Sequence, residues 1–376
     1  MTFSTFSFPT MTLFGAGALK ELPQRLKGLG LERPLVVTDP GLVHTEAFAM
    51  LEETLGKTGR QKSWFVFSNV HPNPIEQDVI KGAEAYRANA CDAVIAFGGG
   101  SALDAGKAVR LLLKRPGFEL SKFDWREDWH GLAPCIAIPT TAGTGSEVGR
   151  SAVIIIDGRK QVIFDPKLLA SLVILDPQLT VDLPAKLTAA TGADALTHCI
   201  ESFTSPVFHP MCEAIALEGL RIIARALPRA VHEPGDVDAR GQMQLAAMMG
   251  GVAFQKDLGA VHSLAHPLST LCNMHHGLAN ALCLAVVMRF NAQRKPGLYS
   301  RIAEVLRLQR KDDAAVIEWV QSLLRDIGIT PGLKAAGVDE AMLEQLTDQA
   351  VEDGCHKTNA VPVTRDDLME LYRQAM

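Results

Sequence analysis

Cysteine is present without any sign of pairing. The chain has 7 cysteines among 376 residues, an odd number with no Cys-x-x-Cys spacing. This argues against a disulfide framework and for free thiols in a reducing compartment. Basic tracts are also missing, and the formal net charge is -5, so nothing calls for a nucleic-acid partner. No uninterrupted apolar run reaches the length that spans a bilayer. The opening residues, Met1-Thr2-Phe3-Ser4-Thr5, lack the basic and apolar stretches of a signal peptide. A cytoplasmic location is therefore expected. There is no internal repeat and no low-complexity segment. What remains is ordinary globular material, 47% hydrophobic and 21% charged. At this length two domains are expected rather than one core.

Short apolar strands alternate with helical patterns through the first half. Residues 3–14 read as a strand or an arm, and Gly15-Ala16-Gly17 opens a helical pattern through Leu19, Leu22 and Leu26. Leu35-Val36-Val37-Thr38-Asp39 is a buried strand ended by Pro40 and Gly41. A helix on Phe48, Leu51 and Leu55 follows, then a strand at 63–67, a rigid turn at His71-Pro72-Asn73-Pro74, and a helix over 76–89. Residues 91–97 form a strand running into Gly98-Gly99-Gly100-Ser101 and a helix over 102–114. Residues 135–138, 153–156 and 173–175 supply further strands. Such alternation implies a parallel sheet covered on both faces. After Pro184 nearly every segment has helical period, including 214–226, 242–254, 279–290, 314–327 and 366–374. The boundary is expected near Leu183, giving an α/β domain over 1–183 and an all-helical domain over 184–376.

The helical half holds two clusters of metal-ligand side chains. Asp194 and His198 are four residues apart, as are His262 and His266, so each pair projects from one helix face. His275-His276-Gly277 follows after a short gap, and His276 can fold back onto the same site. One carboxylate with three imidazoles suits Fe²⁺ or Zn²⁺. A plain hydrogen bond also explains an Asp–His pair, and a solitary histidine is usually a core or surface residue. Several of these histidines, however, stand among Ala, Leu and Val, where an unpartnered imidazole is costly.

The strand, glycines and helix at 91–114 form a plausible anion site, because glycine admits a ligand to the backbone and a helix N-terminus offers free N–H groups. Leu103 stands where Gly-x-Gly-x-x-Gly needs its third glycine, and the Lys-Ser/Thr of a P-loop is missing. Ser101-x-x-Asp104 also reads as a capping box, which would make this simply a well-capped helix. Asp39, at a strand end, can hold a ribose 2′-hydroxyl and so favour NAD over NADP, or merely cap its own turn. The loop Pro139-Thr140-Thr141-Ala142-Gly143-Thr144-Gly145-Ser146-Glu147 is rich in hydroxyls. Thr144-x-x-Glu147 reads as a second capping box, leaving Thr140, Thr141 and Ser146 for a polar ligand.

Taken together these stretches resemble the iron-containing (group III) alcohol dehydrogenase family. The resemblance rests on Gly98-Gly99-Gly100-Ser101-Ala102-Leu103-Asp104, residues 139–147, 192–201 and 259–267, and His276-Gly277-Leu278-Ala279-Asn280-Ala281, in family order along nearly the whole chain. It implies a dinucleotide-binding α/β domain and a helical metal-binding domain, with the active site in the cleft between them. Asp194, His198, His262 and His276 then become the metal ligands, with His266 beside them as a proton relay. The nucleotide contacts it implies are Asp39, Asn73, Gly98, Gly99, Ser101, Asp104, Thr140, Thr141, Thr144, Ser146, Ser151 and Lys160. Phe254 and Cys355 fall where the family lines its pocket, and an N-terminal arm would join a homodimer or higher homo-oligomer.

Three departures from the family bear on the substrate. They are His275 before the His-Gly pair, Arg150 after the Thr-rich loop, and Thr358-Asn359-Ala360-Val361-Pro362 near the end. The activity so implied is reversible hydride transfer between NAD(H) and a primary alcohol or aldehyde. Arg150 raises the prospect of an acidic substrate such as 4-hydroxybutyrate with succinic semialdehyde, against the plainer reading of a surface or subunit-contact arginine. A dehydroquinate synthase-like lyase and a nucleotide-independent metal hydrolase are the alternatives. The first lacks basic residues beside the ligands, and the second leaves both loops without a purpose.

Overall fold

The computed structural model describes residues 8, 10–57, 63–330 and 332–376. The start of the expected arm, and any subunit contact through it, lies outside them. The chain forms two compact units, one of Phe8–Thr141 with Gly145–Leu183, the other including Ala142–Thr144 and Pro184–Met376.

The first unit carries β1 (Thr12–Phe14), α1 (Leu22–Gly28), β2 (Pro34–Val37), α2 (Glu46–Gly56), β3 (Phe65–Phe67), α3 (Glu76–Ala88), β4 (Ala93–Gly98), α4 (Gly100–Lys114), β5 (Cys135–Pro139), β6 (Ser151–Ile156), β7 (Arg159–Phe164) and β8 (Leu172–Leu175). Six strands pair in the order β1-β8-β5-β4-β2-β3, all parallel. Every residue of β2, β4, β5 and β8 is buried. That is the signature of a parallel sheet covered on both faces, and it explains why these strands read as unbroken apolar runs. The course of the chain across the sheet reverses between β2 and β4, and the ends of such strands are where α/β sheets place their ligands.

The strand expected at 153–156 forms as part of β6, and it lies outside the parallel sheet, paired antiparallel with β7 in a hairpin. Asp157 (φ 51°) and Gly158 (φ 73°) make its turn. This Asp-Gly dipeptide is a strong hairpin signal, but β7 is masked in sequence by Arg159, Lys160 and Gln161. The two capping boxes are absent. Helix α4 starts at Gly100 with Gly99 as its cap, and Ser101 instead donates to the Pro72 carbonyl. Residues Ser146–Val148 form only a short 3-10 turn capped by Gly145 in the left-handed conformation.

The second unit is helical among its described residues: α5 (Ala185–Thr204), α6 (Pro210–His232), α7 (Val237–Ala253), α8 (Ala260–Leu271), α9 (His276–Arg294), α10 (Ser300–Val305), α11 (Asp313–Asp326), α12 (Leu343–Glu352) and α13 (Arg365–Ala375). Helix α5 is the axis, buried at every position from Thr188 to Thr204 and packed against α6, α7 and α9. Its polar residues are therefore turned away from water. Gly277 at the start of α9 lies so close to α5 that a Cβ would stand 2.1 Å from the Ala190 carbonyl oxygen.

Candidate functional site

Three helices aim their ligand atoms at one point in the helical unit. Asp194 lies on α5, His262 on α8 and His276 at the first turn of α9, and one ligand atom from each falls within 4.8 Å of the others. His198, one turn after Asp194, places Nε2 at 3.7 Å from Asp194 Oδ1, and His276 Nε2 is equally distant from that oxygen. The rings of His198 and His262 stack with centroids 4.9 Å apart. All four side chains, and His266 beside them, are thus brought together. The close approach at Gly277 is what lets α9 bring His276 to Asp194.

Neighbouring acids fix the imidazoles. Glu201 Oε2 accepts from His262 Nδ1 at 2.6 Å, while Oε1 takes the Val261 backbone N–H at 2.7 Å. With its proton on Nδ1, His262 turns the Nε2 lone pair into the cluster. Burial works against the charged form of His262, but Glu201 outweighs it and the pKa rises. Burial dominates at His198 and lowers its pKa despite Asp194. His266 is held in the same manner, by Asp353 at 2.7 Å. Burial opposes the Asp353 carboxylate, yet His266, the Cys355 N–H and the Ser263 hydroxyl together hold its pKa far below the usual range.

Sequence reading missed Glu201, Asp353 and Asn280. Glu201 continues the 194–198 face of α5 by one turn and was findable by helical period. Asn280 sits one turn after His276 on α9. Asp353 comes from 87 residues beyond His266 and leaves no local trace. Of the expected pocket residues, Phe254 sets its ring edge-on to His198 at 5.4 Å, and Cys355 lies beside Asp353 with a thiol pKa raised by burial and by that carboxylate. All seven cysteines are free.

In the α/β unit, Gly98 ends β4 opposite Pro139 of β5, and the Thr140 N–H donates to the Gly98 carbonyl at 3.0 Å. Gly98 has φ +146°, and a Cβ there would lie 2.9 Å from that of Ala102, so only glycine is at ease. Asp39 follows β2, the other neighbour of β4, and accepts from the N–H groups of Gly41 and Leu42 at 2.9 Å each. Thr141 borders Gly99, and the bond from Ser101 to Pro72 draws the Asn73 turn alongside.

Asp104 is instead committed inside the fold. It accepts from Ser146 Oγ and from the Val153 N–H, and pairs with buried Lys107 at 3.0 Å. Lys107 also donates to Ser146 and to the Ser151 carbonyl. Asp104, Ser146 and Ser151 thus brace the Thr-rich loop. Lys160 lies on β7 across from Ile155. Thr144 belongs to the helical unit, and the Arg150 guanidinium lies over the Phe164 ring at 5.2 Å.

Comparison with known proteins matches two family models end to end. Residues 9–177 fit "Iron-containing alcohol dehydrogenase" and residues 188–376 fit "Fe-containing alcohol dehydrogenase family, C-terminal". The chain belongs to the iron-containing alcohol dehydrogenase family. It is an oxidoreductase of the alcohol dehydrogenase type. A 4-hydroxybutyrate dehydrogenase from Cupriavidus necator is 39% identical over 375 residues, 96% of each chain. The crystal structure of a 1,3-propanediol oxidoreductase superposes with a TM-score of 0.93 at 34% identity, covering 99% of this chain and 100% of that one. A sulfoacetaldehyde reductase from Bifidobacterium kashiwanohense, solved with NAD⁺, gives 0.89 at 29% identity, covering 100% and 99%. No helix among the described residues is long and apolar enough to cross a membrane.

Proposed function

We propose that this enzyme interconverts a primary alcohol and its aldehyde by hydride transfer with NAD(H), and that Asp194, His198, His262 and His276 hold its Fe²⁺ or Zn²⁺. The observation that carries the reading is the convergence of one ligand atom each from Asp194, His262 and His276 within 4.8 Å inside an apolar bundle. A carboxylate and imidazole lone pairs so placed repel one another and fit a borderline divalent cation. When bound, that ion supplies Lewis-acid polarisation of the substrate oxygen.

The chain's own groups do the rest. Glu201 keeps the His262 lone pair on target, and Phe254 excludes water from the His198 side. Asp353 holds a proton on His266 Nδ1, leaving Nε2 as the basic atom that accepts the proton of the alcohol. Gly98, Gly99 and the N-terminus of α4, with Ser101, cradle the pyrophosphate. Asp39 faces the ribose, and Asn73, Thr140, Thr141, Thr144 and Lys160 complete the nucleotide contacts. The units so divide the work, residues 1–183 for the nucleotide and 184–376 for the metal. The enzyme is taken as cytoplasmic and as a homodimer or higher homo-oligomer.

The substrate proposed is an acidic aldehyde such as succinic semialdehyde. Two of the relatives named above act on molecules with a carboxylate or sulfonate, and Arg150 offers a guanidinium to such a group. Two experiments test these assignments. Asp194→Ala or His262→Ala should lose both bound metal and turnover, and full turnover by either metal-free variant refutes the ligand set. Arg150→Ala should slow acidic aldehydes about tenfold or more while sparing neutral ones of equal length; equal slowing of both removes Arg150 from the substrate site.

A further inference from the structure

Ala142-Gly143-Thr144, the middle of the Thr-rich loop, folds with the helical unit. Ala142 is buried in one apolar cluster with Ala189 and Ala193 of α5. Gly143 lies against Thr191 of the same helix, where a Cβ would stand 2.6 Å from the Thr191 carbonyl oxygen and 2.7 Å from Thr191 Cβ. Thr191 and His198 are two helical turns apart and so share a face of α5. The His198 ring is enclosed by His262, stacked at 4.9 Å, and by Phe254, edge-on at 5.4 Å. Its Nε2 is turned to Asp194, and its buried Nδ1 closes no hydrogen bond among the described residues. The backbone group that bears on this ring is Gly143, and it favours the protonated imidazole. A backbone N–H would disfavour that form, so the group facing the ring is the carbonyl.

We propose that Gly143 is a positioning residue that latches the Thr-rich loop to the metal site: an ion on His198 Nε2 leaves the ring proton on Nδ1, which then donates to the Gly143 carbonyl. This rests on the proposed metal centre and on the nucleotide contacts proposed for the loop. Without the ion, the proton can sit on Nε2, drawn by the Asp194 carboxylate, and Nδ1 then offers a lone pair that a carbonyl cannot bond. With the ion, the Nε2 lone pair is taken and the ring remains neutral; only the tautomer changes. A buried N–H is costly unless it finds an acceptor, and Gly143 supplies one. The ion therefore pins the loop, and a nucleotide that holds the loop in turn favours the tautomer that binds the ion. By linkage each tightens the other by the same factor.

The test titrates the full-length enzyme with NADH, followed by its fluorescence, after stripping with a chelator and again after loading with Zn²⁺. NADH should bind about tenfold tighter or more with the ion in place, and saturating NADH should protect Zn²⁺ from a competing chelator by the same factor. Gly143→Ala drives the loop away from Thr191 and should bring that factor close to one. A lesion of packing alone would weaken NADH equally in both forms. A factor that survives in the variant therefore overturns the latch, as does a factor near one in the parent. A crystal structure of the parent with Zn²⁺ decides the geometry, and it covers the case of a variant that does not fold. His198 Nδ1 should lie about 2.9 Å from the Gly143 carbonyl oxygen. An ion on the cluster with that separation beyond about 3.5 Å overturns the inference and leaves the metal centre standing; no ion there overturns both.

Discussion

Glu147 is fully buried in the Thr-rich loop, and burial pushes its carboxyl up to about 7 from an ordinary 4.5, with its own backbone and Lys107 pulling the other way. Because the folded value is raised, the folded state holds the proton more tightly than the unfolded chain. Stability contributed by the neutral acid is full below about pH 4.5 and is lost as pH rises towards 7. Glu147→Gln, neutral throughout, should therefore gain stability over the parent between pH 5 and 8, by up to about 3 kcal/mol. Denaturant unfolding at both pH values checks this; a difference that does not grow with pH contradicts it. A second residue-scale prediction concerns Glu201. Glu201→Gln keeps the size but weakens the acceptor for His262, so metal affinity measured by chelator competition should fall about 10–100-fold; unchanged affinity would show that His262 needs no such anchor. At this scale the sequence was informative wherever two groups share a helix turn, as Asp194 and His198 do. It was silent on Asp353, whose position beside His266 depends on how distant helices pack.

Between elements, the tightest joint is Gly277 of α9 against α5. A methyl group there meets the Ala190 carbonyl carbon at 2.8 Å and Asp194 Cβ at 3.1 Å as well as the carbonyl oxygen. Gly277→Ala should force α9 outward, carrying His276 with it. The expected result is a loss of about 1–3 kcal/mol in thermal unfolding together with weaker metal retention, and retention unchanged at lower stability would separate the joint from the site. The helical stretches of the second half were legible because their apolar residues recur at 3.6. They run longer than that period suggested, since α6 and α9 continue through polar turns. Helix starts were less legible. Ser101-x-x-Asp104 has the composition of a capping box, but both side chains are claimed by Pro72, Ser146, Lys107 and Val153, contacts that only the tertiary fold creates.

For the molecule as a whole, alternation of strand and helix followed by helices alone predicts the two kinds of unit found. The order of strands is another matter. Nothing local says that β1 pairs with β8, 161 residues on, because that pairing depends on which edge each crossover reaches. On the division of tasks proposed above, nucleotide to the sheet and metal to the bundle, removing the metal should abolish turnover without unfolding the sheet. The most direct test is to strip the purified enzyme with a chelator, reload it with Fe²⁺ or Zn²⁺, and follow NADH oxidation with succinic semialdehyde at each stage. The account predicts that activity disappears with the metal and returns with it; undiminished NADH oxidation by verifiably metal-free enzyme would contradict it.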